Sequence, residues 1–273
     1  MMLIYPSRAL ESFKLKSKGL MKNIIFNFKE NDIKSVSNWY DELILFLWGW
    51  LGMKIIPYIF LFLVQLWNFD ELQTMMTINL LTYATLFTGF IVYLFMIKPE
   101  IGNRILSSFK RNHLQRTLQG YIEYLIIYMA LIIVYQLLFK YFYHGNSSNN
   151  NQSSLVDISF YKVAFIVMTV FLGPVCEELT YRVGLCSLLE RKSKILAILL
   201  SGIIFGLIHF DLNSLISAGQ GNTESLINEL WNLPPYLISG WALGFAYVKE
   251  GCFTSSWIGH FLNNLLGVIQ IYA

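Results

Sequence analysis

The chain has 273 residues, of which 55% are hydrophobic and 14% charged, with a formal net charge of +3. Soluble domains average about 45–50% apolar and about 25% charged residues, so this much apolar surface does not fit inside one soluble core, and lipid is the medium that accepts the rest. The three cysteines, Cys176, Cys186 and Cys252, are odd in number and lack CxxC spacing, which excludes a disulfide framework and a thiolate metal site.

Residues 1–40 carry Arg8, Lys14, Lys16, Lys18, Lys22, Lys29 and Lys34, with short apolar clusters such as Ile24-Ile25-Phe26 between them. They hold no uninterrupted apolar stretch of the kind a signal peptide needs. They read as a basic cytoplasmic arm, or as an amphipathic helix lying on anionic lipid. From residue 41 to 273 the sequence predicts one transmembrane domain. Its spans, chosen by length and freedom from charge, are Leu43–Leu66 (interrupted by Lys54 and Pro57), Ile78–Ile97, Tyr121–Phe139, Ile158–Val175, Ile195–Phe210, the short Pro235–Val248, and Phe253–Ile271. The expected fold is an all-α polytopic helical bundle of seven spans, or eight if 211–234 hides a further helix or a re-entrant segment.

Loop charges set the expected orientation. Lys98, Arg104, Lys110, Arg111 and Arg116 follow span two; Arg182, Arg191, Lys192 and Lys194 follow span four; Lys249 follows span six. The alternate connections, 68–77, 143–157 and 211–234, contain no Lys or Arg. Positive charge accumulates on the cytoplasmic side, which places the N-terminus inside and, with seven spans, the C-terminus outside. The membrane expected is a bacterial plasma membrane. The run Asn146 to Ser154 lacks the apolar residues that order a loop and reads as a flexible outside loop.

Ionisable residues inside spans are costly and therefore point to function. They gather in the last hundred residues. In Gly173-Pro174-Val175-Cys176-Glu177-Glu178-Leu179-Thr180-Tyr181-Arg182, Gly-Pro is expected to break the fourth span and restart a helix. Glu178 and Arg182, four apart, then share a face where they pair, with the guanidinium fork gripping the carboxylate in a two-pronged contact. Glu177 points about 100° away, unpaired on its own helix and free to act as a base; a charged helix end is the plainer alternative. Phe205-x-x-x-His209 closes span five, and His260-x-x-x-Asn264 lies inside span seven with both polar residues on one face; a boundary histidine and interhelical hydrogen bonding are the plainer alternatives there. A carboxylate can activate water, and an imidazole with an amide can steady a developing oxyanion. Counting residues puts His209 at the outer end of its span, away from Glu177 and His260, so convergence requires span five to be tilted or the helices to be longer than the spans. There is no HExxH, GxSG or GxGD motif, and Cys176 beside two glutamates lacks the electropositive setting of a thiolate nucleophile.

The three motifs in this order, Glu177-Glu178-x-x-x-Arg182, Phe205-x-x-x-His209 and His260-x-x-x-Asn264, resemble those of the CAAX protease and bacteriocin-processing (CPBP or Abi) family over about residues 155–270. The resemblance implies an intramembrane endopeptidase in which Glu177 activates water with help from His209, His260 and Asn264 stabilise the oxyanion, and Glu178 and Arg182 organise the site. It implies no cofactor, or else a divalent metal such as zinc held by Glu177, His209 and His260. The expected partners are the bilayer and a peptide or membrane-protein substrate, and no nucleic acid. A non-catalytic immunity or regulatory scaffold and a proton-coupled transporter using His209 and His260 are the alternatives.

Overall fold

The computed structural model describes residues 28–143 and 150–273. The amphipathic-helix alternative for the N-terminal arm falls on residues outside this range, as does the first part, 146–149, of the Asn/Ser run; the rest of that run, 150–154, is helical and not the loop expected. Among the described residues the chain is helical, with no strand. The helices are α1 (Trp39–Val64), α2 (Glu71–Val92, extended by a π turn Tyr93–Ile97), α3 (Pro99–Ser107), α4 (Leu114–Phe142), α5 (Asn150–Ile158), α6 (Lys162–Glu190), α7 (Lys194–Leu207), α8 (Asn213–Gly219), α9 (Glu224–Asn232), α10 (Pro234–Glu250) and α11 (Phe253–Tyr272).

Local chemistry sets the helix boundaries. Asp70 caps α2 by accepting from the Gln73 N–H at 2.7 Å while Gln73 reaches back to the Asp70 N–H, a reciprocal capping box. Pro99 opens α3 and Pro234-Pro235 opens α10, positions where the missing N–H costs nothing. Gly251 ends α10 in the left-handed region at φ 68°, its N–H donating to the Tyr247 carbonyl. Only glycine adopts that conformation without strain.

Each of the seven expected spans coincides with a helix: α1, α2, α4, α6, α7, α10 and α11. Four are long and apolar enough to cross a membrane: Trp39–Val64, Glu71–Ile97, Arg111–Phe142 and Lys162–Glu190. α1 runs unbroken through Lys54 and Pro57. Only 6% of the apolar window of α4 and 22% of those of α1 and α2 are buried in the protein, against 56% for α6. α6 is therefore the central helix, and the apolar outer faces of the other three are left for lipid. α8 and α9, with 7 and 9 residues, rise about 10 and 14 Å and are too short to be the eighth span that 211–234 left open.

The fourth span corrects an expectation. Gly173-Pro174 does not break it; α6 continues to Glu190, fifteen residues beyond Val175. A π stretch, Val167–Leu172, lies immediately ahead, and the Gly173 N–H donates to the Met168 carbonyl, five residues back. The wider register gives the proline ring the room that an α-helical turn denies it. A second π stretch, Leu179–Cys186, follows.

α7 packs against α10, α10 against α4, α4 against α11, and α1 against both α2 and the second half of α6. Paired glycines bring α7 and α10 into backbone contact: a Cβ on Gly202 would lie 2.8 Å from the Trp241 nitrogen, and one on Gly240 would lie 2.6 Å from the Gly202 carbonyl oxygen. Small residues allow this close approach in lipid, where packing replaces the hydrophobic effect between helices.

One end of the bundle collects ion pairs. Arg191 is bonded to Glu42, Lys98 to Asp41, Lys29 to Glu250, Lys249 to Glu123 and Arg116 to Asp32. Outside the helices, the hydrogen bond and charge of Glu42 raise the pKa of Arg191, and Asp41 does the same for Lys98. Residues 28–38, assigned to the arm by sequence, are packed onto this end: Asn31 and Ile33 are buried, and the Asp32 N–H donates to the Gly251 carbonyl at 2.8 Å.

Candidate active site

Glu177 and Glu178 occupy one α-helical turn of α6, Gly173–Glu178, held between the two π stretches. π turns inside α-helices recur at functional sites because they re-aim side chains. Here both carboxylates reach the same imidazole on α11. His260 Nδ1 lies 2.9 Å from Glu178 Oε1, and its Nε2 lies 3.6 Å from Glu177 Oε2. Glu178 is fully buried, His260 5% exposed and Glu177 7% exposed, so the small opening toward solvent is at Glu177. With Nδ1–H donated to Glu178, the imidazole presents Nε2 to Glu177, where a proton or a bridging water can be shared.

The expected pairing of Glu178 with Arg182 is present, at 3.4 Å between Oε2 and Nε, with both side chains fully buried. The two-pronged grip is not. The contact lacks hydrogen-bonding geometry, and neither Arg182 Nη1 nor Nη2 has a hydrogen-bond partner. The π register carries Arg182 off the ideal i,i+4 face, and the other Glu178 oxygen is committed to His260. The face of the Phe205 ring, 5.1 Å from Arg182 Cζ, supplies a cation–π contact in its place.

α7 brings the third motif residue. The Phe205 ring stands 5.6 Å from the His260 ring, 5.5 Å from Tyr181 and 5.2 Å from His209. His209 Nδ1 is 3.0 Å from the Phe205 carbonyl oxygen, and its ring is stacked on Tyr236 of α10 at 4.4 Å. The depth mismatch read from the sequence disappears for a simple reason. α7 has 14 residues and rises only about 21 Å, so its far end lies within a core about 30 Å thick. Counted from the shared charged end, His209, two residues past the end of α7, lies fifteen residues from Lys194, and Glu177 lies thirteen from Glu190. The His260 imidazole stands beside Glu177, and the Phe205 ring touches both His260 and His209.

Asn264 shares the His260 helix, and its Nδ2 donates to the Thr169 carbonyl of α6 at 2.9 Å. Sequence reasoning missed Tyr83 of α2, whose hydroxyl donates to Glu177 Oε1 at 3.0 Å, and Tyr236, the stacking partner of His209. The available signal was a phenol in an otherwise apolar span, a polar group that needs a partner in lipid. Among the described residues no three His, Cys, Asp or Glu side chains converge as a metal-binding set.

Residues 159–266 match the family model described as type II CAAX prenyl endopeptidase Rce1-like. This match lies in the C-terminal part of the chain. Its bounds agree with those read from the three motifs, and the match covers about two fifths of the chain. Over 114 residues the chain is 32% identical to an uncharacterized protein of Mycoplasma capricolum subsp. capricolum, a stretch that takes in 41% of this chain and 29% of that relative. No solved structure matches. All six motif residues lie within the matched stretch, residues 159–266. Tyr83 lies outside it, so the N-terminal helices contribute directly to the Glu177 site.

Proposed function

We propose that the protein is an intramembrane endopeptidase that hydrolyses a peptide bond in a membrane-associated peptide or protein, with Glu177 as general base. The observation that carries this reading is the buried His260 imidazole held between two carboxylates, one fully enclosed and one slightly open. Such an arrangement separates the roles of the acids. Glu178 orients and charges the imidazole, as a buried carboxylate does for a catalytic histidine. Glu177, with Tyr83 holding Oε1, keeps Oε2 for a water.

In the proposed reaction Glu177 takes a proton as the water oxygen attacks the carbonyl carbon. The carbonyl oxygen gains the negative charge and is met by the protonated Nε2 of His260. Collapse breaks the C–N bond, and the proton held by Glu177 passes to the departing amine, so that one water is consumed. Arg182 balances the charge of Glu178, and His209 assists from across Phe205. The bundle end that gathers Lys98, Arg116, Arg191 and Lys249 faces the cytoplasm of a bacterial plasma membrane, in keeping with the bias of positive charge.

The test is a deletion strain expressing wild type, Glu177→Gln or His260→Gln at matched levels, with peptide profiling of its membranes. A peptide present with wild type and lost in both variants supports the reading. Identical profiles in all three overturn it.

A further inference from the structure

We infer that Asn264 is a positioning residue that clamps a backbone carbonyl left open in α6, and through it sets the turn that carries Glu177 and Glu178. The inference stands on the backbone of α6 and does not need the proposed reaction to be right.

A π stretch, Val167–Leu172, is defined by a carbonyl accepting from the N–H five residues on. Gly173 donates to Met168. The next donor in this register, for the Thr169 carbonyl, is residue 174, and that residue is proline. Proline has no N–H, and the Gly173 N–H that an α-helical register would offer Thr169 is already used. Thr169 is thus left with a bare carbonyl inside a membrane helix, where an unsatisfied backbone group is costly. Asn264 Nδ2 fills that place at 2.9 Å. The bond crosses from α11 to α6 one helical turn beyond His260. It fixes the two helices at the point where His260 must meet Glu178 at 2.9 Å and Glu177 at 3.6 Å. Pro174 and Asn264 therefore form a functional pair: the first opens the carbonyl and widens the turn, and the second closes it from the neighbouring helix.

The test is a double-mutant cycle. Asn264→Ala and Pro174→Ala are made singly and together in the full chain, purified in detergent, and their unfolding temperatures measured. Asn264→Ala leaves the carbonyl bare and lowers the unfolding temperature by roughly 3–8 °C. In the Pro174→Ala background the restored N–H at 174 satisfies Thr169, and the same Asn264→Ala change has almost no effect. A second readout follows positioning rather than stability: the ring ¹⁵N shifts of His260, assigned among the four histidines by single His→Gln variants. They move in Asn264→Ala and return toward wild type in the double variant. Equal penalties in both backgrounds, no penalty in either, or His260 shifts that fail to return overturn the inference. If Asn264→Ala yields no folded protein, the double variant must fold, and its failure to fold also refutes the clamp. Absence of proteolysis by the wild-type protein with intact coupling in this cycle would count against the proposed function alone.

Discussion

The Glu178–Arg182 pair makes the sharpest energetic prediction. Both side chains are fully buried, and Oε2 and Nε stand 3.4 Å apart. At an effective dielectric of about 20 two unit charges at that separation attract by about 5 kcal/mol. Removing one partner of a buried pair costs about 3–5 kcal/mol, because the other charge stays buried and alone. Arg182→Met keeps most of the aliphatic volume but strands the Glu178 carboxylate, and the Phe205 contact at 5.1 Å is lost with the cation. At about 2–4 °C per kcal/mol for a chain of this order, the variant should unfold roughly 6–20 °C lower. Glu178→Gln alone strands the guanidinium and should cost a similar amount. Together the two changes leave no unpaired charge, and the glutamine oxygen still accepts from His260 Nδ1. The double variant should therefore recover to within about 1–2 kcal/mol of wild type. Unfolding followed by size-exclusion chromatography of heated, detergent-solubilised protein reads all four forms. A double variant destabilised by the sum of its singles would refute the pairing and return both residues to independent roles.

Gly202→Ala places a methyl against the backbone of α10, and the resulting overpacking should cost about 1–3 kcal/mol, visible as a lower unfolding temperature. Its position one turn before Phe205 should also displace the ring that separates His209 from His260. Arg116→Ala removes hydrogen bonds to Asp32, the Glu30 carbonyl and the Glu250 carbonyl; residues 28–38 should then open to limited trypsin digestion at Lys29 and Lys34 while the bundle stays intact, and an unchanged digestion pattern would show that the strap does not depend on this tie. All three cysteines are buried, and burial pushes the Cys252 thiol up; mass spectrometry after treatment with a membrane-permeant maleimide at neutral pH should find Cys252 unmodified until the protein is unfolded.

Several site residues were legible because their chemistry is rare in lipid. Glu177, Glu178, Arg182, His209, His260 and Asn264 stand out against apolar spans, and helical spacing already paired Glu178 with Arg182. Other features were not legible, for two reasons. Partners such as Tyr83–Glu177 and Asn264–Thr169 are 94 and 95 residues apart in sequence, and no local periodicity encodes which distant helix lies opposite. The path of α6 through Gly173-Pro174 depends on a π register, which is favourable only because a neighbouring helix closes the carbonyl that it opens.

The sequence by itself determined the all-α membrane class, a helix at each of the expected spans and the clustering of ionisable residues in the last hundred residues, because charge and hydropathy are priced residue by residue against lipid. Only the tertiary structure decided that His260 stands between the two glutamates, that Arg182 meets Glu178 edgewise rather than with its fork, and that the short α7 ends at the depth of the site. These outcomes are set by how helices of unequal length, two of them touching through glycine backbones, share one buried space, and in that space every polar group must find a partner on another helix or go without.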